Sequence, residues 1–270
     1  MASDRPPIVP EVPRTVWIVS SGRTGTQFLA HYFDGNYDTV TAVHEPPPRI
    51  RTRIVGNAFV EGGCSKARVL SLLAAKKRRI DRLETDLYVE SNPFLWGVTP
   101  CIEEVFDRPM IVHVVRDPRA HVRSSLNHGT STGFKALANR FVPYWYPSTP
   151  VETGDWMERA AAVWAHANRL LHEAGARLSD YRVLRYEDLF DESHSGLRTL
   201  CDALGLPFRG EGARVDPGRP INRAEGRVLD DWRDWTDAQC AAVHRITADG
   251  MAEYGYGSEP EWRSRVGCGA

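Results

Sequence analysis

The amino-acid sequence predicts a single α/β domain of three layers, in which a central parallel sheet of about five strands is flanked by helices. Two patterns lead to this prediction. Short apolar runs alternate with segments of helical periodicity along most of the chain, as expected for repeated strand–helix units. Most of these runs are apolar throughout, which is typical of strands buried on both faces of a parallel sheet. With 270 residues, of which 42% are hydrophobic, the chain is long enough to bury one large core.

Five runs are predicted to be strands, and the segments between and after them are predicted to be helices. The predicted strands cover 16–20, 39–44, 87–90, 110–115 and 181–185. The predicted helices cover 26–33, 65–82, 118–127, 155–176, 195–204 and 236–254. The clearest helix is 155–176, because Asp155 and Glu158 form a start that resembles a capping box. The long stretches 127–150 and 206–230 are rich in glycine and proline, so we expect lids or binding loops there.

The composition excludes several classes of protein. The net charge of -1 gives no overall attraction to nucleic acid or to an anionic membrane, and no apolar run is long enough to span a bilayer. The five cysteines are scattered without metal-ligand spacing, which is typical of a reduced, cytoplasmic chain without a metal site. The first 14 residues are polar and proline-rich, unlike a signal peptide. We therefore divide the chain into a flexible segment 1–14, a domain 15–256 and a C-terminal tail 257–270.

The first motif lies in the stretch TVWIVSSGRTGTQFLAHYF at 15–33. A predicted strand leads into a turn with two glycines and then directly into a helix, which is the arrangement of a P-loop-like phosphate site. The nucleotide triphosphatase pattern GxxxxGK[ST] is not met, because the second glycine and the lysine are missing at the required positions. An ordinary strand–helix turn is the alternative. The candidate phosphate-binding residues are Ser21, Gly22, Arg23, Thr24, Gly25, Thr26 and Gln27.

The second motif lies in the stretch MIVHVVRDPRAHVRSSL at 110–126. A buried strand ends at Arg116, and Asp117 and Pro118 are suited to cap and begin the next helix. Ser124 follows Arg116 by about two helical turns. An arginine and a hydroxyl in this arrangement can bind a phosphate. The alternative is that Arg116 pairs with Asp117 or with a later acid such as Glu187.

Taken together, the glycine turn, VVRDPRAHVRSSL and the later VLRYEDLF resemble the sulfotransferases that use 3'-phosphoadenosine-5'-phosphosulfate (PAPS). The resemblance runs in order from 16 to about 256, and the stretch ESNP at 90–93 supports it. In that family the first loop binds the 5'-phosphosulfate, and the arginine and serine of the second motif bind the 3'-phosphate. The resemblance therefore implies these roles for Arg116 and Ser124. It also implies PAPS as the donor, its bisphosphate product PAP, no metal, and a hydroxyl or amine of a small-molecule, glycan or natural-product acceptor.

The resemblance also implies the catalytic residues. Most relatives carry a lysine in the first loop, where this chain has Arg23, which can stabilise negative charge but is a poor proton donor. A histidine or glutamate at a strand end serves as the base in the family. Here His44 and Glu45 end the second predicted strand before three prolines. Alternation along the strand aims their side chains at opposite faces, so we expect only one to reach the pocket, with Glu45 preferred over His44.

Further residues are assigned from their position in the chain. Relatives close over the adenine and the 3'-phosphate with a late loop, which corresponds here to part of 206–230. The resemblance therefore implies that Arg223 or Arg227 could contact this phosphate, and the alternative is that each is solvent-exposed. Four aromatic residues could form a platform for the acceptor, and they are Phe141, Tyr144, Trp145 and Tyr146. The basic run 76–79 is predicted to be a solvated helix end, and Trp232 and Trp235 are predicted to pack on the core.

Two other functions stay open from the sequence. One is a P-loop-type kinase that uses ATP, against which Arg116 and Ser124 argue because ATP has no 3'-phosphate. The other is a nucleotide-binding protein without catalysis, which the replacement of lysine by Arg23 keeps open. The oligomeric state is also left open, with a homodimer as one option.

Overall fold

The computed structural model of the protein describes residues 12–128, 142–144, 155–218 and 229–267. The strands are β1 (Arg14–Val19), β2 (Val40–His44), β3 (Leu87–Ser91), β4 (Met110–Val115) and β5 (Tyr181–Arg185). They form one five-stranded sheet in the order β2-β3-β1-β4-β5, and every neighbouring pair is parallel. The predicted sheet is therefore confirmed, and each strand overlaps the run that predicted it.

The helices are α1 (Thr26–Asn36), α2 (Arg49–Val60), α3 (Lys66–Ile80), α4 (Pro118–Asn127), α5 (Trp156–Gly175), α6 (Tyr186–Leu189), α7 (Ser195–Leu204), α8 (Asp237–Glu253) and α9 (Pro260–Arg265). Short 3-10 helices cover Pro93–Leu95, Thr99–Glu104 and Trp232–Asp234. The six predicted helices are present, with bounds that differ by a few residues. The caps are also as expected: Asp155 accepts hydrogen bonds from the amides of Met157 and Glu158, and Asp117 accepts one from Arg119.

Helix α2 was not predicted, because its start carries none of the usual signals. Pro48 precedes it without a capping side chain, and its first turn contains no acidic residue. Its stability comes from packing instead. Gly56 of α2 lies against Gly97, where an added Cβ would be 2.5 Å from the Gly56 oxygen, and the side chain of Val55 is buried.

Helices cover both faces of the sheet and form the predicted three layers. On one face, Ile18 of β1 packs with residues of α1 and α7, such as Phe33 and Leu200. On the other face, Trp17 packs with residues of α2, α3 and α5, such as Leu73. A third apolar cluster joins α4 and α5 to α8 and α9, and includes the buried Trp232 and Trp235, as predicted. Alternate residues of β1 thus enter different cores, as a strand covered on both faces requires.

The prediction that the basic run 76–79 is solvated is wrong for its first residue, Lys76. Lys76 is only 5% exposed, and its Nζ lies 2.8 and 2.6 Å from the two carboxylate oxygens of the fully buried Glu90 of β3. Tyr88 and Asn92 donate further hydrogen bonds to the same carboxylate. The opposite charge and these donors compensate for the loss of hydration. Lys77, by contrast, is half-exposed and pairs with Asp81.

The last described residues pack closely on α4. The guanidinium of the buried Arg119 lies between the rings of Trp232 and Trp262, at 4.7 and 4.9 Å from their centroids. It also pairs with Asp117 and with Glu259. These contacts bind the start of α4 to the residues before and within α9. None of the helices in the described part of the chain combines the length and apolar character that a membrane crossing requires.

Candidate active site

The candidate residues gather at the carboxyl edge of the sheet, where ligands bind in parallel α/β folds. The first loop, 20–25, joins β1 to α1. Arg116 follows β4, which is the neighbour of β1, and Ser124 lies on α4. His44 is the last residue of β2 and Glu45 follows it, and β2 is separated from β1 by β3. The two motifs that carry the resemblance are therefore adjacent.

The first loop is shaped by left-handed backbone conformations. Gly22, Arg23 and Gly25 have φ angles of 90°, 59° and 73°. Gly25 has a second reason to be glycine, because an added Cβ would lie 3.3 Å from the ring of Phe190. Within the described chain, no group accepts a hydrogen bond from the backbone N–H of Arg23, Thr24 or Gly25. Successive free N–H groups ahead of a helix form an anion-binding concavity.

Residues of the second motif contact the first loop through three hydrogen bonds. Arg116 donates a hydrogen bond of 2.8 Å from Nη1 to the backbone oxygen of Arg23. Arg23 in turn donates from Nε to the hydroxyl oxygen of Ser124, at 3.1 Å. His121 of α4 lies with Nδ1 3.1 Å from the backbone oxygen of Gly22. The two predicted anion-binding elements are thus in direct contact, and they form one site.

The electrostatics of this site favour an anion. Burial, and then the nearby positive charge of Arg116, lower the pKa of Arg23 below its ordinary value. The side-chain atoms Ser21 Oγ, Thr24 Oγ1 and Arg116 Nε are buried and have no hydrogen-bond partner among the described residues. Unpaired buried donors are costly in a folded protein. An anion that accepts hydrogen bonds from these atoms satisfies the unpaired donors. Its negative charge also offsets the repulsion between the guanidinium groups of Arg23 and Arg116.

A third motif, the stretch VLRYEDLF at 183–190, supports the second. The guanidinium of Arg116 stacks 4.1 Å from the ring centroid of Tyr186. Glu187 accepts a hydrogen bond from the backbone N–H of Asp117 and another from the hydroxyl of Tyr256. Arg116 therefore pairs with neither Asp117 nor Glu187, and the alternative assignment of this arginine as an ion-pair partner of these acids is wrong.

His44 and Glu45 lie side by side at the end of β2. The Nε2 of His44 is 3.3 Å from Oε1 of Glu45, and both side chains are largely buried. Glu45 leaves the strand with a φ of 46°, which turns its side chain back toward His44. The expectation that the two side chains face opposite ways is wrong, because it assumed that the extended backbone continues through Glu45.

The contacts of this pair determine where a proton sits. Nδ1 of His44 lies 2.9 Å from the backbone oxygen of Ser91. A carbonyl only accepts, so Nδ1 carries a hydrogen. Nε2 then faces the Glu45 carboxylate. Arg49 approaches the other carboxylate oxygen at 4.0 Å.

The ESNP stretch braces the edge of the sheet beside the first loop. Glu90 accepts from the side chain of Asn92, whose backbone N–H donates to the oxygen of Ile18 in β1. The Asn92 side chain also caps the 3-10 helix at Phe94.

Among the predicted acceptor residues, only Tyr144 lies within the described residues. Its backbone oxygen accepts a hydrogen bond of 2.8 Å from Asn57, and its ring lies over Gly63. Asn57 is eight residues into α2, about 12 Å along the helix axis from Arg49. The other predicted residues outside the described ranges are Phe141, Trp145, Tyr146, Arg223 and Arg227. Within those ranges, no cluster of metal-ligating side chains is present.

Two residues that support the site were not predicted from the sequence. His121 lies in the second motif, and the one signal for it is a histidine on the same helix face as Ser124 and Ser125. Lys76 was assigned to a solvated run. Nothing in the sequence pairs Lys76 with Glu90, because the two residues meet only when α3 packs on β3.

The family of the chain follows from comparisons with known proteins. Residues 64–210, just over half of the chain, match the model of the sulfotransferase family. This segment contains Arg116, Ser124 and Glu187. No curated protein sequence gives a significant match.

Two solved structures share the fold. One is the sulfotransferase domain from the curacin biosynthetic pathway, with a TM-score of 0.53, 14% identity and coverage of 91% of this chain and 98% of that chain. The other is a sulfotransferase from Alicyclobacillus acidocaldarius, with a TM-score of 0.53, 15% identity and coverage of 93% and 99%. The family match covers the second and third motifs. The two solved structures show the same fold over 91% and 93% of the chain. This protein belongs to the sulfotransferase family.

Proposed function

We propose that this protein transfers the sulfuryl group of PAPS to a hydroxyl or amine of a small-molecule, glycan or natural-product acceptor. The observation that carries the proposal is the direct contact between two anion-binding elements, the first loop and the Arg116–Ser124 pair. A donor with both a 5'-phosphosulfate and a 3'-phosphate needs two such elements. ATP has no 3'-phosphate for the Arg116–Ser124 pair to bind, so a kinase reaction does not explain the presence of this pair.

The residues present fit PAPS. The free N–H groups of Arg23, Thr24 and Gly25 and the unpartnered hydroxyls of Ser21 and Thr24 can bind the 5'-phosphosulfate. The helix start at Thr26 and Gln27 adds the positive end of the α1 dipole. Arg116 and Ser124 can bind the 3'-phosphate, for which the unpartnered Nε of Arg116 is an available donor.

When bound, PAPS supplies the sulfuryl group, and its departing phosphate must accept negative charge. Arg23 is placed to stabilise that charge, because it belongs to the loop and its guanidinium is held by Ser124. Arginine stays protonated even where burial lowers its pKa, as it does here. Arg23 therefore acts through its charge and its fixed position, which are the main requirements of a loose transfer of this kind.

The proton of the acceptor goes to the His44–Glu45 pair. Ser91 holds the imidazole by Nδ1, so that Nε2 and the Glu45 carboxylate act on the same side. We propose that the pair works as one base, with the carboxylate of Glu45 as the group nearest the acceptor and His44 orienting it. The pair lies about 10 Å across the sheet from the first loop, which leaves room between them for the transferred group and the acceptor.

The acceptor site lies beyond this pair, over α2. Tyr144 lies against the far end of α2, and we propose that it binds the acceptor together with Phe141, Trp145 and Tyr146. Arg223 and Arg227 are proposed to add contacts to the 3'-phosphate side. The aromatic residues provide a surface suited to a sugar ring or a phenol.

The first test measures binding by isothermal titration with PAP, ADP and ATP. We expect PAP to bind at least tenfold more tightly than ADP, because only PAP engages Arg116 and Ser124. R116M should remove most of that preference. R245M is the matched control, since Arg245 is an exposed arginine paired with Glu158 on the surface. Tighter binding of ATP than of PAP would contradict the proposal and favour a kinase.

The second test separates an enzyme from a binding protein. Transfer of labelled sulfate from PAPS to a panel of sugars, phenols and amines should be measurable for the native protein. E45Q should reduce kcat by about 100-fold or more, because the base is lost, and should leave the affinity for PAP unchanged. Binding of PAP without transfer to any member of the panel would favour a non-catalytic nucleotide-binding protein.

A further inference from the structure

We infer that His121 is a positioning residue that sets the orientation of the first loop through a hydrogen bond from α4 to the backbone of Gly22. The inference rests on the proposed function for the identity of the ligand, but its structural part concerns the loop alone. His121 lies on α4, between Arg116 and Ser124 in the sequence, and it is only 2% exposed. It contacts the loop from the helix that carries Ser124.

The hydrogen bonds of His121 fix its tautomer. Its Nδ1 lies 3.1 Å from the backbone oxygen of Gly22, and its Nε2 lies 3.3 Å from the hydroxyl oxygen of Ser125. Because a carbonyl only accepts, the hydrogen of the neutral ring is on Nδ1. Nε2 then accepts from Ser125. The ring therefore donates to the loop and is itself held by its own helix.

This bond orients a peptide plane of the loop. In a trans peptide the C=O and the following N–H point in opposite directions. When His121 holds the oxygen of Gly22, the N–H of Arg23 must point away from α4. Arg116 orients the next peptide plane, because it donates a hydrogen bond to the oxygen of Arg23. This bond fixes the direction of the N–H of Thr24. Two neighbouring planes are thus oriented by two residues of the second motif, and their N–H groups are free for an anion.

The state of the ring suits this role. Burial, and then the charge of Arg116, lower the pKa of His121 to about 3. The ring is therefore neutral at the pH at which most proteins work. A neutral ring donates to Gly22 without adding a third positive charge behind Arg23 and Arg116.

The chain offers a matched control. His113 of β4 is also fully buried, and burial lowers its pKa to about 4. It bonds to Tyr181 and Asn168, each at 2.7 Å, and makes none of its described hydrogen bonds with the first loop. Replacing either histidine by leucine removes a buried neutral ring and two hydrogen bonds. Only the replacement of His121 should change the loop.

The experiment compares H121L, H121N and H113L. In the ligand-free protein, amide hydrogen exchange and the NMR signals of 22–25 should change in H121L and stay as in the native protein in H113L. Titration with PAP should show affinity at least tenfold lower in H121L, and largely restored in H121N, whose amide can donate to Gly22. Loss of PAP affinity should raise KM for PAPS more than it lowers kcat.

The outcomes separate this inference from the proposed function. If the native protein does not bind PAP, the proposed function fails, and the amide signals still decide the role of His121. Unchanged loop signals in H121L, or equal loss of PAP affinity in H121L and H113L, would overturn the inference. If H121L does not fold, nitrogen NMR of the native imidazole decides, because a ring protonated on Nε2 instead of Nδ1 cannot donate to Gly22.

Discussion

Arg23 combines a charge with a backbone conformation that most residues avoid. Its φ of 59° lies in the left-handed region, which costs about 1 kcal/mol or more for a residue with a Cβ. The same residue holds Ser124 through Nε and offers its backbone oxygen to Arg116. A strained residue with such contacts is typical of a functional site. The guanidinium thus stands at the junction of the two motifs.

Substitution of Arg23 tests whether charge alone is required. We expect R23K to retain kcat within about tenfold, since the charge is kept, and R23G to lose about 100-fold or more. Glycine is chosen because it accepts the left-handed φ and so removes the side chain without backbone strain. Sulfate transfer at saturating PAPS is the measurement. A kcat for R23G within threefold of the native value would mean that Arg23 has no role in catalysis.

The His44–Glu45 pair makes a second prediction at this scale. Because the two side chains lie 3.3 Å apart and are proposed to work as one base, removing both should cost little more than removing one. The rates of H44N, E45Q and the double variant give the coupling directly. Additive losses would show that the two residues act separately.

Among the elements, the packing of α3 on β3 depends on an ion pair inside the core. The side chains of Lys76 and Glu90 are almost fully buried, and the Glu90 carboxylate accepts further hydrogen bonds from Tyr88 and Asn92. Asn92 links this network to β1 and to the 3-10 helix. The pair therefore supports the edge of the sheet that carries the site.

Removal of one partner should be costly. K76M leaves the buried charge of Glu90 without its cation, and we expect the free energy of unfolding to fall by about 3–5 kcal/mol. K77M is the matched control, because Lys77 is a half-exposed neighbour paired with Asp81, and it should cost less than about 1 kcal/mol. Urea unfolding measures both. Equal effects of the two substitutions would refute the structural role of Lys76.

The Lys76–Glu90 pair also shows why some features of the helices could not be predicted from the sequence. A run of four basic residues at a helix end is usually solvated. Whether one of them turns inward depends on an acid from another strand, and Glu90 is 14 residues away along the chain. Helix α2 was missed for a related reason, since its stability depends on packing at Gly56 and Gly97 and its start lacks capping signals.

For the whole molecule, the buried histidines predict how stability depends on pH. The pKa of His113 is lowered to about 4 by burial, whereas an unfolded histidine has a pKa of about 6.5. Between these values the unfolded chain binds more protons than the folded one. The free energy of unfolding is therefore highest above about pH 6.5 and decreases as the pH falls toward 4.

The size of this effect can be measured with one substitution. His113 should account for about 2 kcal/mol of the decrease between pH 7 and pH 5, so H113Q should make the pH dependence shallower by that amount. H31Q is the control, because it removes an exposed histidine instead of a buried one. Urea unfolding at several pH values gives the slopes. An unchanged slope in H113Q would show that His113 is not held neutral by burial.

The described fold was largely predictable because it follows from local patterns. Strands buried on both faces read as continuous apolar runs, and helices between them read as periodic ones. The caps at Asp117 and Asp155 lie within three residues of the amides they bind. Interactions over so short a distance are visible in the sequence itself.

The α/β fold, the first loop and the Arg116–Ser124 spacing could all be predicted from the sequence, since each depends on residues close together in the chain. The remaining contacts of the site come from the three-dimensional packing. It brought Arg23 to Ser124, 101 residues apart, placed His121 behind Gly22, and turned Glu45 back onto His44. These contacts depend on strand order and on single backbone φ angles. The physical reason is that a contact between distant residues is set by the packing of whole elements, which local residue patterns do not encode.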